Sequence, residues 1–127
     1  MQEKLLYEYA VIRYVPRVER EEFLNVGIVL YCKQQRCVKV SWHIDEAKLQ
    51  ALAPETDAQE LETYLNAFAA TASGDKSGGP IAAEDAASRF RWLTAVRSSA
   101  LQTSRPHPGF CSDPEKTVEH LMNELVK

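Results

Sequence analysis

Two runs near the start of the chain alternate apolar and aromatic positions with few charges, and the later segments are arranged around them. Between Tyr7 and Val15, the residues Tyr7, Tyr9, Val11, Arg13 and Val15 share one strand face, and Ala10, Ile12 and Tyr14 share the other. β-Branched and aromatic residues suit a half-buried pleated surface. Pro16 ends the run because it cannot donate to a ladder. In the second run Asn25, Gly27, Val29 and Tyr31 alternate with Val26, Ile28, Leu30 and Cys32. Both of its faces are mostly apolar, which places this strand centrally. The charged connector, residues 17–24, is long enough for a loop or one helical turn and suffices for an antiparallel return. A third run, Val38, Val40, Trp42 and Ile44, follows a polar turn, residues 33–36. That turn has no Gly or Asn to favour a primed two-residue loop, so a longer loop is expected. The register stays open. A four-residue loop pairs Tyr31 and Val29 with the Val38–Trp42 face, whereas an odd count pairs Leu30 and Ile28 with it.

Beyond residue 44 the apolar period becomes helical. Asp45 caps a short helix with Leu49 and Leu52 inward, and Thr56 or Asp57 caps a second with Leu61, Leu65 and Phe68 as its stripe and Tyr64 nearby. Residues 73–80, SGDKSGGP, read as a solvated connection, with a mobile lid as the functional alternative. Glu84-Asp85 opens a third helix with Phe90 and Leu93 inward and Trp92 and Val96 as further candidates for that face. Residues 99–104 fit a short fourth strand, and residues 105–114 read as irregular because their three prolines and one glycine exclude helix and central strand. Ser112 or Asp113 caps a last helix, with Pro114 in its first turn and Val118, Leu121, Met122 and Leu125 as its apolar stripe. The order of elements predicts a single α+β domain: an antiparallel sheet of three or four strands with helices packed on one face.

The strand led by Tyr9 and carrying Arg13 is followed by Pro16, then Glu22, then Asn25-x-Gly27 opening the second strand. Toward the other end stand Phe90-Arg91-Trp92-Leu93, Gly109 and Asp113-Pro114. This pattern resembles a bacterial family of unknown function, DUF3037, over nearly the whole chain. Because that family has no assigned activity, the resemblance implies a fold and a choice of residues rather than a reaction.

The chain has 127 residues, 26% charged and 45% apolar, and a net charge of −3. Such a balance creates no global attraction to nucleic acid or to anionic lipid. No apolar run approaches the roughly 18 residues of a membrane span, and the start MQEKLLYEYAV lacks the basic and apolar regions of a signal peptide. A cytoplasmic location without membrane association is therefore expected. Cys32, Cys37 and Cys111, an odd count, read as free thiols in a reducing compartment, with Cys32 and Cys37 flanking the hairpin turn as cross-strand neighbours. No phosphate loop or dinucleotide fingerprint occurs, and His43, His107 and His120 are too widely spaced for a zinc motif. No cofactor and no metal are expected.

Arg13 is the most telling single residue. A charge on a half-buried strand face requires a partner, and Glu22 and Asn25 are the nearest candidates in the chain. In the structural reading an Arg13–Glu22 ion pair pins the connector. In the functional reading Arg13 faces an anionic ligand, oriented by Asn25, with Arg97 and Arg105 brought in by the fold. A second constellation comprises Arg97, Ser98, Ser99, Gln102, Ser104, Arg105 and His107. Arginines supply forked donors for phosphate or carboxylate, and hydroxyls complete such sites. The candidate binding set is thus Arg13, Glu22, Asn25, Arg97, Arg105 and His107. Catalytic residues cannot be assigned from spacing, since the members of a triad meet only in three dimensions. The leading function class is a small binding or adaptor module acting with a protein partner. The alternative is a nucleic-acid or nucleotide-binding or processing protein using Arg89, Arg91, Arg97 and Arg105, with Trp92 and Phe110 for stacking. An enzyme without a recognisable motif is the third class.

Overall fold

In the computed structural model, which describes residues 4–97 and 99–127, five strands and four α-helices follow the alternation of the sequence. Strand β1 (Leu5–Tyr14) pairs antiparallel with β2 (Leu24–Cys32), and β2 pairs with β3 (Cys37–Trp42), which forms one edge. The connector before β2 contains one 3-10 turn, Val18–Arg20. On the other side of β1 lie two short antiparallel strands, β4 (Leu101–Thr103) opposite its end and β5 (His107–Cys111) opposite its start. The hairpin takes the four-residue register: Tyr31 faces Val38, Val29 faces Val40, and Cys32 faces Cys37.

Two irregularities shape the sheet. Ile12 faces Gly27 but Arg13 faces Asn25, so Val26 is an extra residue in β2, a β-bulge. The bulge shifts the alternation, and Val26 and Val29 enter the same core. The simple grouping of Asn25, Gly27, Val29 and Tyr31 on one face therefore fails across it. At Gly27 a Cβ would lie 2.6 Å from the Ser41 carbonyl oxygen, so the close approach of β3 requires glycine there. On the other side of β1, Ile12 faces Thr103 and Tyr9 faces His107, so residues 104–106 oppose only Val11 and Ala10. Ser104 holds this second bulge. Its N–H donates to the Val11 carbonyl at 2.9 Å, and its hydroxyl accepts from the Val11 N–H at 2.9 Å and donates to the Arg105 carbonyl at 3.1 Å. The segment expected to be irregular is thus an edge strand from His107 onward. Pro108 is tolerated there because a missing N–H on an open edge breaks no ladder.

One face of the sheet is sealed by three helices. Ala10, Ile12, Tyr14, Val26 and Val29 pack against Leu49 of α1 (Glu46–Leu52), Leu61 and Leu65 of α2 (Ala58–Ser73), and Phe90 and Leu93 of α3 (Ala86–Leu93). Each helix begins at an aspartate whose carboxylate accepts a backbone N–H: Asp45 from Lys48, Asp57 from Gln59, Asp85 from Ser88. Trp42 packs half-buried against this layer. Trp92 and Val96 do not: Trp92 is 44% exposed and Val96 fully exposed. The helix ends at Leu93, so helical spacing does not carry Val96 to the core. Residues 76–83 form two 3-10 turns packed on the end of α2, where the Thr71 hydroxyl donates to the Gly78 carbonyl at 3.0 Å. Apart from the half-buried Gly78, residues 73–80 are exposed, as a solvated connection requires.

The antiparallel α+β architecture is the one expected, but the helices do not all lie on one face. Helix α4 (Pro114–Leu125), capped by Asp113 at the N–H groups of Glu115 and Lys116, packs on the opposite side. Its Val118, Leu121 and Met122 cover Val11, Ile28, Leu30 and Cys32. The cause lies in β2, which is apolar on both faces and needs cover on both. Helix α4 lies chiefly over β2 and β3. On this side β1, β4 and β5 keep half-exposed side chains, Tyr7 and Tyr9 on one side of the buried Val11 and Arg13 on the other. Among the described residues no helix is long and apolar enough to cross a membrane.

Candidate functional site

The strip on the α4 side of the sheet is where Arg13 emerges. In register Arg13 is opposite Asn25 on β2 and opposite Gln102 on β4. The expected Arg13–Glu22 ion pair does not form. Glu22 is exposed and engages Arg20 at 2.5 Å, a contact that holds its carboxyl below the usual range. A residue two positions away in a tight turn is a nearer partner than one reached across a strand. Arg13 instead lies over the ring of Phe23, its guanidinium carbon 4.1 Å from the ring centroid. Its Nε is buried without a partner, as is the Oδ1 of Asn25, and Arg13 makes no ion pair among the described residues. The Asn25 amide donates to the Leu125 carbonyl at 3.1 Å. Asn25 therefore closes the C-terminal end of α4, where carbonyls lack helical partners, rather than capping the connector.

Further along the same face, aromatic rings line β1. The Tyr7 and Tyr9 centroids are 6.2 Å apart, and His107 on β5 sits 5.4 Å from Tyr9 with its ring tilted 39°. Tyr7 lies across Gly109, where a Cβ would stand 2.5 Å from its ring. Burial raises the Tyr7 phenol above its ordinary pKa, with smaller contributions from Cys111 and Tyr9, so it stays neutral near pH 7. His107, expected in a loop, is a strand residue half-exposed in this row. Arg105 is exposed at the bulge, where its carbonyl accepts from Ser104.

Arg97 lies elsewhere. It stacks on Trp92 with its guanidinium carbon 4.3 Å from the ring centroid, and it donates to the carbonyls of Trp92 and Ala95. Together they border a groove of about 400 Å³ between α2, α3 and β4, walled also by Tyr64, Phe68, Leu93 and Leu101. Leu101 faces Tyr14, on the side of the sheet that α1, α2 and α3 cover. The fold thus does not bring Arg97 to Arg13: β1 and its neighbours separate them. Nor does it build a continuous arginine face on α3. Arg89 is drawn inward to the Ala72 and Glu84 carbonyls, at 3.1 and 2.6 Å, and Arg91 remains exposed near Ser88. In the second constellation Ser99 and Gln102 serve local turns, donating to Leu101 and Ser99 carbonyls. Ser98 lies outside the described residues.

Sequence reasoning passed over Phe23, Tyr7 and Tyr9 as site residues. The spacing Tyr7, Tyr9, Arg13 on one strand face was visible, but that this part of the face lacks a helix was not. Larger clefts flank the start of α4 and the β2–β3 turn. In the first the helix amides are already taken by Asp113, beside the Lys39–Glu115 pair at 3.3 Å. The three cysteines are free thiols, and burial raises the Cys37 thiol above its ordinary pKa despite Lys39 nearby. Among the described residues no group of three or more His, Cys, Asp or Glu side chains is placed to hold a metal ion.

No curated protein and no solved structure matches the chain. A family model does, over residues 9–126, a span that takes in both the Arg13 strip and the Trp92 groove. The chain belongs to the family described as "Protein of unknown function (DUF3037)".

Proposed function

We propose that the protein is a binding module that captures a segment of a partner polypeptide in the groove between α2 and α3. The observation that carries this reading is the Trp92–Arg97 stack on the rim of that groove. Trp92 is 44% exposed although it sits on a helix whose other large apolar residues, Phe90 and Leu93, are buried. Exposed Trp beside Arg over an apolar floor is the composition of residues that dominate binding energy at interfaces. The hydroxyl groups of the walls already have partners: Tyr64 donates to Glu60, Thr71 to the Ala67 and Gly78 carbonyls, and Ser99 to the Leu101 carbonyl. Arg97 donates only to carbonyls, so its charge is left without a counter-ion among the described residues. The occupant that fits is an aromatic or aliphatic side chain next to a carboxylate.

Among the described residues no general acid and base pair is assembled around this groove, and the reading is of an adaptor rather than of a catalyst. Three free thiols, two of them facing each other across β2 and β3, suit a reducing compartment. We therefore place the module in the cytoplasm. Selection of binders from a displayed peptide library tests the proposal. Enrichment of a bulky apolar residue beside Asp or Glu, lost by about tenfold or more on Trp92→Ala in a variant with unchanged circular dichroism, is the expected result. Absence of an enriched motif, or binding that Trp92→Ala leaves intact, overturns it.

A further inference from the structure

We infer that the open strip on the α4 side of the sheet, built on Tyr7, Tyr9, His107 and Arg13, binds short single-stranded nucleic acid. This surface is separate from the α2–α3 groove and lies on the other face of the sheet. The argument begins with the backbone. Residues two apart on a strand point to the same face about 7 Å apart, so β1 sets Tyr7 and Tyr9 side by side, and β5 places His107 in the same cross-strand row as Tyr9. Three flat rings, half-exposed on adjacent strands, form a platform rather than a pocket. Successive unpaired bases stack on such platforms, because every base offers a π-face. A duplex hides those faces and does not fit.

Arg13 supplies the charge. It stands four residues beyond Tyr9 on the same face, about 13 Å along the strand. Its guanidinium lies over the Phe23 ring, its Nε is buried, and its two terminal nitrogens are neither fully buried nor hydrogen-bonded among the described residues. A guanidinium held in this way keeps its two terminal nitrogens free to donate to a phosphate. Three carboxylates, on the connector, on α4 and on β1, are engaged or turned away. Glu22 is held by Arg20, and Glu124 on α4 is 3.3 Å from His120. Glu8 alternates with Tyr7 and Tyr9 and so points to the other face of the sheet. Arg105, exposed at the bulge between β4 and β5, adds a second cation at the same edge. The chain's net charge of −3 provides no long-range attraction, so affinity rests on stacking and on one or two phosphate contacts. A dissociation constant on the order of 10–100 µM follows, in the range of sequence-independent binding.

Fluorescence anisotropy with labelled oligo(dT) and oligo(U) of about ten nucleotides tests the inference. The wild-type chain is expected to bind both, and to lose about three- to seven-fold in affinity between about 50 and 200 mM salt, as one to two phosphate contacts on a single strand require. Tyr9→Leu, which keeps apolar bulk but removes the ring, is expected to weaken binding about tenfold. Arg13→Lys, which keeps charge but loses the fork, is expected to weaken it several-fold and to retain the salt dependence. Trp92→Ala, on the opposite side of the sheet, leaves it unchanged, and unlabelled duplex fails to compete. No binding by folded wild-type protein at about 50 mM salt overturns the inference. Binding that survives Tyr9→Leu and Arg13→Lys, or that depends on Trp92 instead, overturns it equally.

Discussion

The two faces of β1 meet very different surroundings although they belong to the same ten residues. Ala10, Ile12 and Tyr14 enter a core closed by α1, α2 and α3, and Ile12 and Ala10 are fully buried. Tyr7, Tyr9 and Arg13, alternating with them, lie beside a single helix that covers chiefly the neighbouring strands. The chemistry of the residues reports this difference. From Ala10 onward the sealed face holds aliphatic side chains and one tyrosine whose hydroxyl pairs with Thr56 at 2.7 Å, whereas Leu6 and Glu8, earlier on the same face, are exposed. The half-open face holds rings with polar edges and a cation. A strand that alternates between these two kinds of residue is a strand covered unequally on its two sides.

If the comparison holds, the sealed face carries more of the stability. Phe90→Ala is expected to cost about 3–5 kcal/mol in urea unfolding, as truncation of a core aromatic does. Met122→Ala, on the inner face of α4, is expected to cost less, about 2–3 kcal/mol. A larger loss at Met122 than at Phe90 would reverse the ranking of the two layers. The seam between β4 and β5 offers a finer probe. Ser104→Ala removes the acceptor of the buried Val11 N–H, and a loss of about 1–2 kcal/mol is expected; no measurable change would mean that the bulge is held by backbone contacts alone. The smallest effect belongs to the connector. Because Glu22 meets Arg20 in solvent and not Arg13, Glu22→Gln is expected to leave the unfolding midpoint unchanged. A clear destabilisation would restore Arg13 as its partner.

Much of the sealed face was legible in the chain. The alternation of residues 7–15, the apolar second run, the capping aspartates and the helical stripes of Leu61, Leu65, Phe90 and Leu93 are local signals, and local signals survive folding. The bulge at Val26 was not legible, because one extra residue opposite β1 is a relation between strands and not a property of either alone. Nor was β5, since proline and glycine counts say only that a segment avoids helices and central strands. The position of α4 was half-legible: β2 needed cover on both faces, but its stripe of Val118, Leu121 and Met122 does not say which face it takes.

The candidate sites follow the same division. Arg13 and Asn25 were found because a polar residue in an apolar run calls for an explanation, and the structure places them opposite each other. Their partners were misjudged. Arg13 rests on Phe23 and Asn25 binds the end of α4, contacts that depend on side-chain directions and on a helix one hundred residues away in sequence. The grouping of Arg97 with Arg105 and His107 followed proximity in the chain. The sheet divides them, leaving Arg97 with Trp92 on one side and His107 with Tyr9 on the other.

The unequal cover of β1 is the claim from which the open strip derives. Hydroxyl-radical footprinting read by mass spectrometry tests it within one strand. Tyr9 and Tyr14 have the same intrinsic reactivity but face opposite sides, the first half-exposed and the second 7% exposed. Oxidation of Tyr9 several-fold faster than that of Tyr14 in the folded protein, equalising on unfolding, is the result this account predicts. Equal protection of the two tyrosines would mean that the α4 side is as closed as the other, and would contradict it.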